Sequence, residues 1–463
     1  MRGRIALVGL LCSLVLVPAT RSGAQIALPP DPTGLVASPN VSLQGTLAGP
    51  GVIGARFQDG VMYVTGTSGL TTFDISNPAA PALLGALPLP HFENEDVDLA
   101  GDILLISNDA AESTGILYVI DISDPASPSL LSTTHMGGDP VSGGPGHTAS
   151  CVLDCSFAWV TDGGGIRVID LRDPAAPVTI GTFDTPVGGG VVTHDVQVDG
   201  DGLAWVVGFD GAAAYRLAPD YDGQGLGELV AVTDEASRST YLEEIGLGDG
   251  SNPNDFIHHN SLRRGGDDVL FVTEEDYARP GCRGAGSFQS WTLPVDEEGN
   301  PTGAELSILD LWTTELLADL AQPAALCSAH YFDLRRNLVA QGWYEQGVRF
   351  LDVHDPGDIR QVGYFVPPTS ATWAAYFAPT DPSGEIVYSL DFTRGIDVLR
   401  FDRPDTGPLS PTGRPCSPGT SKKQCAEEES PTLIAPIRPE WLTAAPTAGA
   451  PSPAFGFACR IVA

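Results

Sequence analysis

The sequence is poor in basic residues, and lysine is almost absent. Its 463 residues include 24 lysines and arginines against 58 aspartates and glutamates, for a net charge of −34. Lysine occurs only at Lys422 and Lys423. Because a surface this acidic repels phosphate backbones and anionic lipid headgroups, we expect no nucleic-acid partner.

Long hydrophobic runs are absent after the first 24 residues. Arg2 and Arg4 precede an apolar run over 5–17, and small residues follow up to Ala24. This pattern predicts a secretory signal peptide cleaved after Ala24, and the run is too short to span a membrane. We therefore expect a secreted or extracytoplasmic monomer with no membrane span. The mature chain would contain 21 basic and 58 acidic residues.

The short motifs of common cofactor and hydrolase sites are also missing. The sequence contains no G-x-S-x-G elbow, P-loop or dinucleotide fingerprint. Its Asp-Gly stretches near residues 199, 220 and 249 lack the closing Glu of an EF-hand loop, so we interpret them as turns.

Cysteine is scarce, and seven cysteines remain after cleavage. In an oxidising compartment, disulfides are favoured over metal ligation. The candidate disulfide residues are Cys151, Cys155, Cys282, Cys327, Cys416 and Cys425. Cys459 is the odd cysteine and has no predicted disulfide partner. Cys151 and Cys155 would staple one hairpin or bind a metal. Cys416 would close a tail loop with Cys425, and Cys282 would pin two insertions together with Cys327.

One phrase recurs along the chain: a glycine, a β-rich run, then Asp or Asn before Pro. Clear copies span 69–81, 115–128, 165–177 and 347–356, and weaker copies begin at Gly211, Gly286 and Gly395. The β-branched and aromatic residues favour a buried strand. The Asp-Pro or Asn-Pro pair then ends the strand and begins a turn. A second Pro then predicts an outer strand, because Pro is tolerated at strand starts and sheet edges.

The spacing of the phrase predicts the architecture. Another β run precedes most copies, so each unit holds about four strands, which is one propeller blade. The opening glycines lie 46, 50, 46, 75, 61 and 48 residues apart, close to the usual blade length of roughly 40 to 50 residues, with insertions in the fourth and fifth units. The sequence therefore predicts an all-β, seven-bladed β-propeller of four-stranded blades.

The two ends of the repeat region predict how the ring closes. Residues 41–47 have the pattern of an outer strand without a blade of its own, while the last unit lacks an outer strand. We expect the N-terminal strand to complete the last blade. The predicted organisation is a signal peptide at 1–24, a linker at 25–39, the propeller at 40–402 and a Pro-rich, disordered tail at 403–463.

The phrase resembles the LVIVD repeat, which is named for its strand consensus and occurs in bacterial exported proteins predicted to form β-propellers. The resemblance covers roughly residues 40–402 and implies a fold and a location, but no catalytic residues. A looser similarity links the chain to the selenium-binding protein and methanethiol oxidase family, whose propellers have a His-rich, copper-associated channel.

Several histidines recur at one place in the units, at or just before the predicted first strand of a blade. They are His91, His147, His194, His259 and His330. First strands line the central channel of a propeller, so equivalent positions converge on its axis. Because neutral imidazole is the commonest metal ligand, these residues predict a Cu, Zn or Fe site at the channel mouth. Nearby acids that would complete it are Glu93, Glu95, Asp96, Asp195 and Asp255.

Two classes of function stay open from the sequence. The first is a binding or scaffold module for a protein, glycan or small ligand, in which the histidines are structural, like the Gly-His pair of WD-type propellers. The second is a metal-binding protein or metal-dependent enzyme, oxidative or hydrolytic. The acidic run 274–276, with Arg279, is interpreted as a solvated loop or as part of a substrate pocket.

Overall fold

The computed structural model describes residues 36–49, 51–91, 94–108, 115–137, 145–189, 192–244, 257–263, 268–275, 286–297, 300–314 and 327–403. The predicted signal peptide, most of the tail, and Cys282, Cys416, Cys425 and Cys459 lie outside these residues. Within them, strands dominate, and one helix, α1 (Glu235–Glu244), occurs. No helix in this part of the chain is long and apolar enough to cross a membrane.

The strands follow one another in groups of four, after two N-terminal strands. These two are β1 (Val36–Ala37) and β2 (Val41–Ala48). The first group is β3 (Val52–Gln58), β4 (Val61–Gly66), β5 (Gly69–Asp74) and β6 (Ala82–Pro88). The second is β7 (Asp96–Ala100), β8 (Ile103–Asn108), β9 (Gly115–Asp121) and β10 (Ser129–Gly137). The third is β11 (Ala149–Val152), β12 (Phe157–Asp162), β13 (Gly165–Asp170) and β14 (Val178–Asp184).

The remaining groups continue the pattern to the end of the described chain. The fourth is β15 (Thr193–Val198), β16 (Leu203–Gly208), β17 (Gly211–Arg216) and β18 (Glu228–Thr233). The fifth is β19 (Ile257–Leu262), β20 (Val269–Glu275), β21 (Ser287–Thr292) and β22 (Glu305–Trp312). Then come β23 (Phe332–Arg335), β24 (Leu338–Gly342), β25 (Val348–Asp352) and β26 (Arg360–Val366). The last strands are β27 (Thr372–Phe377), β28 (Ile386–Asp391) and β29 (Gly395–Phe401).

Each group forms an antiparallel blade, and the first strands of neighbouring blades contact one another. The contacts run from β3 through β7, β11, β15, β19, β23 and β27 and back to β3. A parallel pairing of β18 with β22 joins the fourth and fifth groups into one eight-stranded sheet. The prediction of a propeller with four-stranded blades is confirmed, and the count of seven blades remains a prediction.

Apolar side chains fill the spaces between the blades. Trp159, Trp205, Trp291 and Trp343 are almost completely buried. Trp205 and Trp291 belong to one cluster that spans the fourth and fifth blades. Burying an aromatic side chain removes a large apolar area from water, so these clusters hold neighbouring blades together.

Ring closure occurs as the sequence predicts. Strand β2 pairs antiparallel with β29, with Val41 opposite Phe401 and Ala48 opposite Gly395. The last blade thereby receives its fourth strand from the N-terminal side of the chain. One detail differs from the prediction, because Val36 and Ala37, expected in a linker, pair with β26 as strand β1.

The recurring phrase forms the third strand of each blade and the turn that follows it. All seven opening glycines lie at or directly before such a strand. Gly69 has a φ of 118°, and a Cβ at this position would lie 2.3 Å from the Leu87 carbonyl oxygen, so no other residue fits without strain. In the turns, Asp124 Oδ1 accepts a hydrogen bond from Ala126 N at 3.0 Å, which is the Asx turn expected before Pro.

The turn also fastens each clear copy of the phrase to the preceding blade. A hydroxyl of that blade donates to the carbonyl oxygen of the first Pro. The pairs are Tyr388 to Pro78, Thr72 to Pro125, Ser132 to Pro174 and Ser290 to Pro356. The pair from Tyr388 to Pro78 joins the last blade to the first. The phrase is therefore a blade-to-blade connector as well as a strand terminator.

Removing these hydroxyls should weaken the ring in small, separate steps. Ser132→Ala and Ser290→Ala should each lower the free energy of unfolding by about 1 kcal/mol, because each leaves one carbonyl without its donor. The two sites lie on different blades, so the double variant should lose about the sum. Urea unfolding measures the effect. Ser129→Ala, at an exposed position of the same strand as Ser132, is the control and should change stability by less than about 0.5 kcal/mol.

The cysteines in the described part of the chain form disulfides. Cys151 is bonded to Cys155, which staples the hairpin of β11 and β12. This pairing favours the staple of the hairpin over a metal site at these two residues. Cys327 is also disulfide-bonded, and its predicted partner lies outside the described residues.

Candidate metal centre

Four of the five predicted histidines lie together. The ring centroids are 4.4 Å apart for His147 and His194, 4.2 Å for His194 and His259, and 3.9 Å for His259 and His330. These residues come from four consecutive blades. His91 is half-buried after β6 and belongs to neither of the donor groups described below. The convergence expected from the sequence therefore holds for four histidines.

Bulges in the first strands position the central members of this cluster. In the pairing of β15 with β16, the register shifts at His194, and in the pairing of β19 with β20 it shifts at His259. A third first strand, β27, has its shift at Trp373. A β-bulge adds one unpaired residue and changes the direction of its side chain. Each of these residues contacts the cluster.

Hydrogen bonds to backbone carbonyls fix two of the rings. His194 Nδ1 lies 3.0 Å from the carbonyl oxygen of His259, and His330 Nδ1 lies 2.9 Å from that of Trp373. A carbonyl oxygen only accepts, so Nδ1 carries the proton in both rings. In a neutral ring, Nε2 then presents a lone pair. Such an arrangement orients histidines that bind metals through Nε2.

Burial keeps these rings neutral. The exposed fractions are 4% for His194, 0% for His259 and 2% for His330. Burial lowers the pKa of His330 to about 3. It also lowers the pKa of His194 and His259 well below the usual value, and the neighbouring histidines lower it further. A neutral imidazole is the form that binds a metal ion.

Two buried glutamates face the imidazoles. Glu275, at the end of β20, has its carboxylate 3.7 Å from His194 Nε2 and 3.9 Å from Nε2 of both His259 and His330. Glu95 lies 3.7 Å from His330 Nε2. The hydroxyl of Tyr344 donates to Glu275 and helps to hold its carboxylate in place. Tyr344 itself has a φ of 31°, a rare conformation for a residue with a side chain.

These donors form two overlapping groups. One contains His194, His259 and Glu275, and the other contains Glu95, His259 and His330, with the donor atoms of each group within 4.8 Å of one another. His259 belongs to both groups, and neither of its ring nitrogens has a hydrogen-bond partner among the described residues. The cluster can therefore hold a metal ion.

The other acids expected near the histidines have different roles. Asp195 accepts hydrogen bonds from the Val196 amide at 2.7 Å and from Asn260 Nδ2 at 2.6 Å. Asp96 accepts from the Val97 amide at 2.9 Å and lies 3.6 Å from Arg56. These carboxylates hold first strands together and do not belong to either donor group. Glu93 and Asp255 lie outside the described residues.

His258, next to His259, belongs to a separate buried network. Its Nε2 lies 3.8 Å from Glu274, which also forms an ion pair with Arg238 of α1. The acidic run at 274–276 is therefore not a solvated loop at its first two residues. Glu274 supports the helix, whereas Glu275 faces the histidine cluster, because successive residues of a strand point to opposite faces.

Comparison with known proteins agrees with the fold and the repeat. The model of the LVIVD repeat family matches residues 60–87, 110–135 and 145–185, which contain three of the four clear copies of the phrase. This protein contains LVIVD repeats and folds as a β-propeller. The LVIVD resemblance is thus confirmed, while the analogy with selenium-binding proteins stays a prediction. A search of curated proteins found no match for the LVIVD propeller.

Two solved structures show the fold of the LVIVD propeller. The β-propeller domain of Cps50 (Swd1) from Myceliophteria thermophila is 10% identical, with a TM-score of 0.53 over 78% of this chain and 99% of that one. The WD40 repeats of RRP9 are 11% identical, with a TM-score of 0.50 over 81% and 100%. At this identity the likeness concerns the fold alone, because propellers carry many functions.

Proposed function

We propose that this LVIVD propeller binds one transition-metal ion at the channel mouth, through His194, His259, His330 and Glu275. One observation carries the proposal. The Nε2 atoms of three buried, neutral histidines all lie 3.7 to 3.9 Å from one carboxylate. A tetrahedral ion with bonds of about 2.1 Å needs donors about 3.4 Å apart. The donor atoms of His194, His259 and Glu275 lie within 4.8 Å of one another, and His330, from the second donor group, would have to move toward them to become the fourth ligand.

Electrostatics favours a cation over a purely structural role for these histidines. His330 uses its only N–H group on a backbone carbonyl, so its Nε2 lone pair faces the carboxylate oxygens of Glu95 and Glu275. A lone pair and a carboxylate repel each other in a buried site, because neither supplies a hydrogen. A cation between them converts this repulsion into attraction.

The donor set favours the metals that accept both imidazole and carboxylate, which are Zn, Cu and Fe. Such an ion would supply Lewis acidity or redox chemistry. His147 is half-buried, and its Nε2 lies 2.9 Å from that of His194. We assign it to the exposed side of the cluster, as a fourth imidazole.

Elemental analysis tests the proposal. The protein, purified without chelator, should contain about one equivalent of a transition metal per chain. Stripped protein should take up about one equivalent when titrated with Zn²⁺, Cu²⁺ or Fe²⁺. His135→Ala, which removes an exposed histidine of β10, should leave the metal content unchanged. Absence of metal in both experiments would leave the binding or scaffold module, which the fold also fits, as the function.

The proposal includes export to an oxidising compartment. It is supported by the N-terminal pattern and by the disulfide between Cys151 and Cys155, since such bonds are rare in the cytosol of most organisms. The mass of the exported protein tests it, because cleavage after Ala24 should leave Gln25 as the first residue.

A further inference from the structure

A second site lies beside the histidine cluster, within the ring of first strands. It is a cavity of about 180 Å³ lined by residues of five first strands or their flanks, among them Arg56, Asn260, Tyr331, Asp333 and Tyr376. None of these residues belongs to the proposed ligand set. Because the residues come from strands on opposite sides of the ring, the cavity lies in the central channel.

Tyr331 is shared between the cavity and the cluster. It lines the cavity, and its ring centroid lies 4.8 Å from that of His259 and 4.7 Å from that of His330. The residue is 2% exposed, yet its hydroxyl has no hydrogen-bond partner among the described residues. A buried hydroxyl without a partner costs about 1 to 3 kcal/mol, so a ligand that completes its hydrogen bonding would be favoured.

The size and walls of the cavity favour one aromatic ring. An apolar cavity of about 150 Å³ is large enough for benzene, and this one has about 180 Å³. Phe57 and Tyr376, two of its lining residues, already pack edge to face, with centroids 5.8 Å apart. Aromatic walls favour a further ring in a stacked or edge-on arrangement.

The charges in and around the cavity favour a neutral ligand. Arg56 is its one basic lining residue, and the guanidinium lies 3.6 Å from both Asp96 and Asp98. The cation is thus already matched, and Asp333 adds a further acid to the lining. The lining therefore offers an anionic ligand no cation that is not already paired, whereas a neutral hydroxyl can donate to one group and accept from another.

We infer that this cavity binds a neutral, single-ring phenol, whose hydroxyl pairs with that of Tyr331. The inference deepens the proposed function, since the phenol would be the small ligand held next to the metal ion. Its binding rests on the cavity alone, so the two proposals fail separately.

Calorimetric titration of metal-free and metal-loaded protein with phenol, cyclohexanol and benzoate tests the inference. Phenol should bind at one site per chain in both forms, and benzoate should bind at least about tenfold more weakly. Tyr331→Phe should weaken phenol binding about five- to tenfold, as expected for one lost hydrogen bond, and keep its metal. Tyr215→Phe, which alters a buried tyrosine of the fourth blade, should bind phenol normally.

A cavity-filling variant tests whether phenol binds in the cavity itself. Ala55→Leu places a larger side chain in the lining and should abolish phenol binding, while its melting curve shows whether it is folded. The inference is overturned if phenol does not bind, or if Tyr331→Phe and a folded Ala55→Leu both bind it as the parent does. Phenol binding without any metal uptake would overturn the metal centre and leave the cavity site standing.

Discussion

His259→Ala should reduce the bound metal from about one equivalent per chain to nearly none. His259 is fully buried, is shared by both donor groups, and has two ring nitrogens without a hydrogen-bond partner among the described residues. Alanine offers no donor atom. Loss of even a residue that only orients a ligand costs about 10- to 100-fold in metal affinity, so loss of a direct ligand should cost at least about 100-fold.

The neighbouring histidine provides a matched control. His258→Ala removes an equally buried imidazole from the same strand, but this one faces Glu274 and α1. It should keep its metal, even if its melting temperature falls. Metal content is measured by elemental analysis and affinity by competition with a chelator. Retention of metal by His259→Ala, or an equal loss in both variants, would contradict the assigned ligand set.

Metal binding should also raise the free energy of unfolding. An ion at 100 times its Kd adds about 2.7 kcal/mol to the free energy of unfolding. The parent should therefore melt at a higher temperature with added metal than with chelator. His259→Ala should show no such difference, while it still melts cooperatively. This readout separates a lost site from a lost fold.

Much of the fold could be predicted because the repeat encodes local structure. The glycine, the β-branched run and the Asp-Pro turn each act within a few residues, so seven third strands could be placed from their opening glycines. The carbonyl-to-hydroxyl links between blades were not predictable. Ser132, for example, meets Pro174 only after the chain has folded.

The histidine cluster was predictable for a similar reason, whereas its carboxylates were not. His194 and His259 occur at equivalent places in their repeat units, and ring geometry brings such places together. Glu275 ends a second strand and reaches the cluster next to a bulge at His259, which shifts the register by one residue. The local amino-acid composition does not predict where a β-bulge occurs. Tyr344, which holds Glu275, comes from yet another blade.

The second large effect concerns ring closure. A chain that begins at residue 51, and so lacks β1 and β2, should lose cooperative folding. Strand β2 pairs along β29 and supplies Val41, Leu43 and Leu47 to the packing between blades. Burial of Val41, and partial burial of the two leucines, contributes roughly 3 to 6 kcal/mol, which is comparable with the whole stability of about 5 to 15 kcal/mol of a typical protein. The exposed edge of β29 would also promote aggregation.

Circular permutation shows whether the strand or its connection matters. The amide of Asp402 donates to the Asn40 carbonyl at 2.7 Å, so the end of β29 lies next to the start of β2. A chain of residues 51–403 followed by a short linker and residues 36–49 should regain the cooperative melt and stay monomeric in size-exclusion chromatography. A chain that starts at residue 36 should match the full mature protein. If the 51–403 chain melts like the permuted one, the pairing of β2 with β29 does not stabilise the ring. If neither chain folds, closure depends on the native order of the strands along the chain and not on the pairing alone.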